Sequence, residues 1–309
     1  MNDLYDVISS ELCLDKDYIK KVVSRSEEYY RKYEIPKKNN KKRTIYQPSA
    51  ELKTLQYWCI NRIFSKFPIS DAAFAYIKGK SIKNHAEQHR KCRFIAHFDI
   101  KDFFESIKSD LLVSTLLNSG VIFENESYDI KQNVGIISKI CMFKNKLTIG
   151  SVCSPIISNI VMYQFDLNMI KYAKEHELNY SRYADDIYLS SVKYISKDVE
   201  KKLVNELRIL NMRPNHSKTR YMSKANKRQV TGLVITPDKK ITIGTKMRNE
   251  IKKMLYEKLV KGNQNIDSER LRGYLAYLRE IEPHTYSKLF IKYKNYGYFI
   301  KTLNRSNEK

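Results

Sequence analysis

An α+β fold is predicted for this 309-residue chain from three observations. Apolar side chains alternate over 94–99 and 180–190 as in strands, apolar residues recur at helical spacing in the stretches between, and the C-terminal region is helical and basic. A hydrophobic share of 42% supports a real core, and nine glycines and seven prolines leave no flexible linker, so two or three subdomains are expected to abut. No repeat at a solenoid period is visible.

The charge balance narrows the function. Lys and Arg number 57 against 34 Asp and Glu, a net charge of +23. Such an excess implies a polyanionic partner held partly by counterion release, with nucleic acid first and a membrane surface second. The plain alternative is a solvated lysine-rich surface. No apolar run reaches transmembrane length and the start, MNDLYDVISSELCLD, is acidic rather than signal-like, so a cytoplasmic protein with no membrane partner is expected. Cys13, Cys59, Cys92, Cys141 and Cys153 form no C-x-x-C pair and read as reduced core thiols.

In chain order, Leu4, Val7, Ile8 and Leu12, then Ile19, Val22 and Val23, predict two short helices within 3–34. A basic turn and a β-prone segment, Thr44–Tyr46, come next. Ser49 is a suitable N-cap and Glu51 suits the first turn of a helix whose Leu52, Leu55, Cys59 and Ile63 share a face. In the strand of KCRFIAHFDIKDFFESI, Phe94, Ala96, Phe98 and Ile100 face one way and Ile95, His97 and Asp99 the other. Helical spacing returns from Ser154 to His176, and Tyr180–Ser190 reads as a hairpin with Ala184, Asp185 and Asp186 at its turn. A helix near 197–211, a β segment in RQVTGLVITPDKKITIG and helices from Lys246 complete the outline.

Asp185 and Asp186 alone fit an exposed turn. Asp99, ending a second apolar strand, changes the reading, because strands paired in one sheet bring three carboxylates together. Such a cluster repels itself unless cations neutralise it, and few protein oxygens suit Mg²⁺, which completes its shell with water and phosphate. Two such ions about 3.5–4 Å apart activate a hydroxyl and stabilise leaving pyrophosphate.

The segments RYADD and FDIKDFF resemble the Tyr-x-Asp-Asp signature and the first metal-binding motif of reverse transcriptases. RTIYQPS with ELKTLQ, and VTGLVI at 230–235, resemble the bacterial retron members, from about Lys41 to the C-terminus. The resemblance implies a right-hand polymerase fold: N-terminal helices and fingers over 1–93, a palm with an antiparallel sheet and inserted fingers helices over 94–243, and a helical thumb over 244–309. It implies that Asp99, Asp185 and Asp186, with the carbonyl of Ile100, hold two Mg²⁺ ions, Mn²⁺ being an alternative. Phe104 takes the position of the steric gate against a ribose 2′-hydroxyl. Phe103 and Phe104 also suit a core. Arg43, with Lys41 and Lys42, matches the fingers region that grips a dNTP triphosphate. Lys218 in NHSKT lies where a lysine faces pyrophosphate. Val230, Thr231 and Gly232 match the primer grip, which also reads as a buried strand, and Lys246, Arg248 and Lys252 belong to the duplex-following thumb.

Two motifs depart from the family. LTIGSVCSP places Ile149 and Val152 in the nucleotide-site motif, with Ile149 replacing its Gln, and retains Gly150, Ser154 and Pro155. HAEQH has His85 in place of the retron Asn and retains Ala86 and His89, the latter an RNA-binding candidate. His85 and His89, with Cys92 and His97, also permit a zinc reading, but the Glu is misplaced for H-E-x-x-H. Gly79-Lys80-Ser81 resembles a P-loop ending, yet Phe74 stands where its first glycine belongs.

The resemblance implies an RNA-directed DNA polymerase that copies a structured noncoding RNA from an internal guanosine 2′-hydroxyl into branched RNA-linked DNA. It also implies anti-phage defence with a separate effector protein, and a host RNase H to remove RNA. A group II intron-like or other defence-associated reverse transcriptase is the near alternative, and a polymerase-shaped RNA-binding scaffold the alternative of another class.

Overall fold

A computed structural model describes residues 3–36, 42–121, 123 and 128–296. Helix α1 (Leu4–Leu12) starts on Asp3, whose carboxylate accepts from Tyr5 N, and stops where Cys13 turns left-handed at φ +54°. Helix α2 (Lys16–Ser24) is capped in the same way by Asp15, a side chain supplying the partner that a first turn lacks. Strands β1 (Tyr30–Pro36) and β2 (Lys42–Pro48) pair antiparallel from Tyr30 opposite Pro48 to Pro36 opposite Lys42. The two expected helices are present, whereas β1 was not foreseen. Six of its seven residues are exposed, so no burial period marks it, and the backbone ladder to β2 defines it instead.

Helix α3 (Ala50–Arg62) begins on Ser49 as expected. Leu52, Leu55, Cys59 and Ile63 are at most 2% exposed, and burying a side chain of Leu or Ile size contributes about 1.5–3 kcal/mol. Helix α4 (Ile82–His89) opens with a capping box between Ser81 and Asn84. Strand β3 (Phe94–Asp99) is followed by α5 (Phe103–Ser106), α6 (Ser109–Asn118) and α7 (Ile130–Cys141). The stretch expected as one helix from Ser154 divides at Met162 into α8 (Ser154–Val161) and α9 (Tyr163–Glu175).

Next come β4 (Asn179–Tyr183), β5 (Asp186–Ser191), α10 (Asp198–Ile209) and the short strands β6 (Arg220–Met222), β7 (Arg228–Val230), β8 (Leu233–Ile235) and β9 (Ile241–Thr242). Helices α11 (Thr245–Leu259), α12 (Ser268–Ile281) and α13 (Pro283–Lys292) follow. The hairpin turn is Ala184–Asp185, and Asp186 already belongs to β5.

The chain divides into two compact units. The first comprises the chain to Lys80, Ala96–Leu189 and Ile195–Arg220; the second comprises Ser81–Ile95, Ser190–Tyr194 and the chain from Tyr221. A four-stranded sheet has the order β4-β5-β3-β6, so the strands bearing Asp99 and Asp186 are neighbours. In the second unit β7, β8 and β9 form an antiparallel sheet that packs on α4, and α12 packs on α11 and α13. Four cysteines are buried as expected, but Cys13 is exposed, because it terminates a helix rather than lying on its apolar face. Among the described residues, no helix is long and apolar enough to cross a membrane.

Candidate active site

The first unit gathers the carboxylates by strand order. Ile100 N donates to Asp185 O at 2.9 Å, which ties the end of β3 to the turn between β4 and β5. Asp99 is 4% exposed. Its Oδ1 accepts from Asn215 Nδ2 at 3.0 Å and its Oδ2 from Lys218 Nζ at 2.6 Å. Its backbone oxygen accepts from Asn215 N at 2.7 Å, so both elements of NHSKT that face Asp99 are fixed by that short segment.

Burial raises the Asp185 carboxyl to about 6, the negative charges of Asp186 and Asp99 push the same way, and Lys218 opposes them. A buried carboxylate crowded by others has the electrostatics of a cation site. Asp186 has a partner of its own: His97 Nε2 donates to its Oδ1 at 2.6 Å, and the imidazole packs on Tyr188 at 4.6 Å between ring centres. Among the described residues, no three His, Cys, Asp or Glu side chains are grouped so as to hold a metal. The pair Asp99 and Asp185, with the Ile100 carbonyl as a further oxygen donor, still has the chemistry Mg²⁺ takes, since that ion commonly uses one or two carboxylates plus substrate phosphates.

Phe103 and Phe104 have separate fates. Phe103 is 4% exposed and belongs to the core, whereas Phe104 is half-buried and faces Tyr76 at 6.3 Å between ring centres. Arg43 and Lys42 lie exposed on β2, with Lys42 bonded to Glu34 at 2.9 Å; Lys41 lies outside the described residues. Gly150 has φ +109°, and a Cβ there would stand 2.6 Å from Ile45 Cγ2 and 2.8 Å from Tyr46 O. Ile149, in the place of the expected Gln, accepts from Tyr46 N through its carbonyl at 2.9 Å. The backbone therefore docks this loop on β2 whatever the side chain at 149.

The other candidates belong to the second unit. Val230 is wholly buried, while Thr231 and Gly232 form the two-residue turn from β7 to β8 with φ +47° and +85°, as a type I′ hairpin requires. Thr231 Oγ1 meets His85 Nδ1 at 2.5 Å. His89 Nδ1 meets Ser190 Oγ at 2.7 Å, and burial holds this imidazole down at about 3. These histidines thus have hydroxyl partners, and the zinc reading gains nothing. Lys246 and Lys252 are exposed on α11. Arg248 is committed to Glu282 through Nε and Nη2 at 2.8–3.1 Å, which reduces what its guanidinium can offer a phosphate.

A buried network behind the RYADD turn left little trace in the sequence. Arg182 donates Nε and Nη2 to the two oxygens of Asp166, and Nη1 to Asn159 Oδ1 and to the Ala184 carbonyl. Its only sequence signal was a charged residue in an apolar strand. Asn215 and His97 were also missed as partners of Asp99 and Asp186.

Residues 35–235 match the family described as "Reverse transcriptase (RNA-dependent DNA polymerase)". The chain is 36% identical to the Retron Ec73 reverse transcriptase of Escherichia coli, with 99% of each chain covered. It is 30% identical to the Retron Ec86 reverse transcriptase of the same organism, covering 94% of this chain and 88% of that one. Among solved structures, apo telomerase from Candida Tropicalis aligns with a TM-score of 0.52 at 13% identity, over 86% of this chain and 58% of that one. The chain thus spans little more than half of that telomerase, and this likeness is one of fold.

Proposed function

Since this chain belongs to the reverse transcriptases, the RNA-directed DNA polymerases of right-hand fold, and within them to the bacterial retron group, we propose that it copies a structured noncoding RNA into branched RNA-linked DNA. The observation that carries the chemistry is the junction of Asp99, at the end of β3, with Asp185, in the turn between β4 and β5, tied by the Ile100–Asp185 backbone bond of 2.9 Å. In this reading the palm is built around the β4-β5-β3-β6 sheet, the fingers include the β1–β2 hairpin, and α11–α13 form the thumb.

Asp99 and Asp185, with the Ile100 carbonyl, would hold divalent metal, with Asp186 beside them. Bound there, the two ions supply charge neutralisation at the attacking hydroxyl and the leaving pyrophosphate. Lys218 stands by Asp99 where it can hold a proton close to a departing phosphate. Arg43 offers a fixed fork to the triphosphate, Gly150 lets its loop dock closely on β2 so that the loop backbone can meet the nucleotide, and Phe104 walls off a 2′-hydroxyl. Thr231, Gly232, Lys246 and Lys252 would contact RNA and primer, whereas His89, wholly buried against Ser190, has no surface to offer RNA and serves the fold; Lys42 assists at the phosphates. The partners implied are the noncoding RNA, its DNA product, dNTPs, a separate effector in anti-phage defence and a host RNase H. Mg²⁺ is the ion proposed, and the cytoplasm the location.

The test is Mg²⁺-dependent dNTP incorporation by the protein copurified with its native RNA, beside Asp185→Asn/Asp186→Asn, with RNase treatment of the product. DNA that stays joined to a short RNA through a branch, and is absent in the variant, is the expected result. Linear RNA-free DNA would remove the branched priming, and absent incorporation despite tight RNA binding would remove the enzyme reading.

A further inference from the structure

Residues 71–76 run beside β4. Ala73 bridges Arg182 in parallel, Arg182 N donates to Ala72 O and Phe74 N donates to Arg182 O, both at 2.8 Å. Asn159, wholly buried, donates Nδ2 to Ala75 O at 3.0 Å and accepts from Arg182 Nη1 at 3.2 Å. The same Nη1 donates to Ala184 O at 3.2 Å. Two buried side chains therefore brace two turns: one presents Asp185 and the other presents Tyr76.

Each braced turn holds a non-glycine residue in the left-handed region, Ala184 at φ +56° and Tyr76 at φ +63°. For a bulky aromatic this conformation is rare and costly, and it persists where surrounding structure over-determines it, typically at ligand sites. Core packing does not account for it, since Tyr76 is 53% exposed. Its ring instead faces the half-buried ring of Phe104 at 6.3 Å and 43°, with Asp185, Tyr183 and Arg43 near enough for their charges to act on its phenol. An ordinary turn would use Gly or Asn at this φ and leave no ring opposite Phe104.

We propose, on the polymerase reading, that Tyr76 is a nucleoside-contacting residue: its ring, opposite Phe104 and fixed by the Arg182–Asn159 brace, stacks on a nucleobase held beside Asp185. The base belongs either to the incoming nucleotide or to the primer–template, because both present the same aromatic face and stacking tolerates any base.

The experiment uses full-length Tyr76→Ala, Tyr76→Phe and Tyr76→Gly on an annealed RNA template–DNA primer with Mg²⁺. Incorporation kinetics are read beside fluorescence anisotropy of labelled primer–template. If the base is that of the incoming nucleotide, the Ala and Gly variants raise the KM for dNTP about tenfold with kcat within about threefold, and the Phe variant stays within about twofold of wild type. If the base is in the duplex, the same pattern falls on the Kd for primer–template. The Gly variant tolerates φ +63° and keeps the test open should the Ala variant fail to fold. Unchanged dNTP KM and primer–template Kd in the Ala and Gly variants would overturn the proposal, as would a loss in the Phe variant equal to that in Ala. Wild-type protein that binds primer–template through Tyr76 but incorporates nothing would overturn the polymerase reading and leave the stacking site standing.

Discussion

Arg182 and Asp166 meet twice, Nε to Oδ1 at 2.8 Å and Nη2 to Oδ2 at 2.7 Å, with both side chains wholly buried. Breaking such a pair leaves one charge uncompensated in the core, at a cost of about 3–5 kcal/mol. Arg182→Met should lose about that much in urea denaturation. The double variant Arg182→Met/Asp166→Leu should recover most of the stability, since an apolar pair can replace a buried ionic one. Incorporation should stay low, because Ala184 O and Asn159 remain without their donor. Recovery of both would mean that the pair serves folding alone.

Asp185 is expected to trade stability for activity. Burial, then Asp186 and Asp99, raise its carboxyl to about 6, so at pH 7 the folded protein holds a charge that the unfolded chain carries more easily. Asp185→Asn should abolish incorporation and, in chelator at pH 7, stabilise the protein by about 1–2 kcal/mol. Calorimetry with EDTA measures it; a lowered Tm would show that the carboxylate is needed for folding.

Lys218 competes with metal for Asp99, its ammonium lying 2.6 Å from Oδ2. Removing a cation from a carboxylate site lets another bind more tightly. Lys218→Met should lower the Mg²⁺ concentration for half-maximal incorporation several-fold while reducing kcat, as loss of a proton donor commonly does by about 10²–10⁴. A metal titration in which half-saturation rises would assign Lys218 to metal binding instead.

His89 gives the fold an acid limit. Its imidazole is held at about 3 by burial, below the ordinary value near 6.5, so between those limits the unfolded chain takes up a proton that the folded one refuses. The stability is therefore intact above about pH 6.5 and falls by about 1.4 kcal/mol per unit as pH drops below it. Relative to His89→Asn, wild type should lose about 2 kcal/mol more between pH 7 and pH 5 in urea melts. Parallel losses would mean that His89 is protonated within the fold.

Gly150→Ala should destabilise by about 2 kcal/mol or more. At φ +109° a Cβ would lie 2.8 Å from the Tyr46 carbonyl, and the Tyr46–Ile149 backbone bond stops the two segments from separating freely. A shifted urea midpoint together with a raised dNTP KM is the expected signature, and an unchanged midpoint would show that the loop relaxes.

Much of this was legible along the chain. Helix α3 announced itself through Ser49 and its apolar stripe, and Asp99, Asp185 and Asp186 through carboxylates at the ends of apolar strands. Strand β1 was not legible, because its exposed residues follow no burial period and its pairing lies with a segment that follows it. Arg248 read as a phosphate contact because nothing local reveals Glu282, 34 residues on. Tyr76 left no signal either, for a left-handed tyrosine looks in sequence like any tyrosine.

The sequence by itself determined the class of fold, through periods of two and 3.6 residues, and through its charge it implied a polyanionic partner; its carboxylate motifs were legible by their resemblance to a known family. The tertiary structure alone decided each carboxylate's immediate partner: Lys218 and Asn215 for Asp99, and His97 for Asp186. It also decided that Arg182 and Asn159 brace the turns of Asp185 and Tyr76. Apart from the bond of Arg182 to Ala184, such pairings join residues tens of positions apart, and only strand order and burial fix which donor reaches which acceptor.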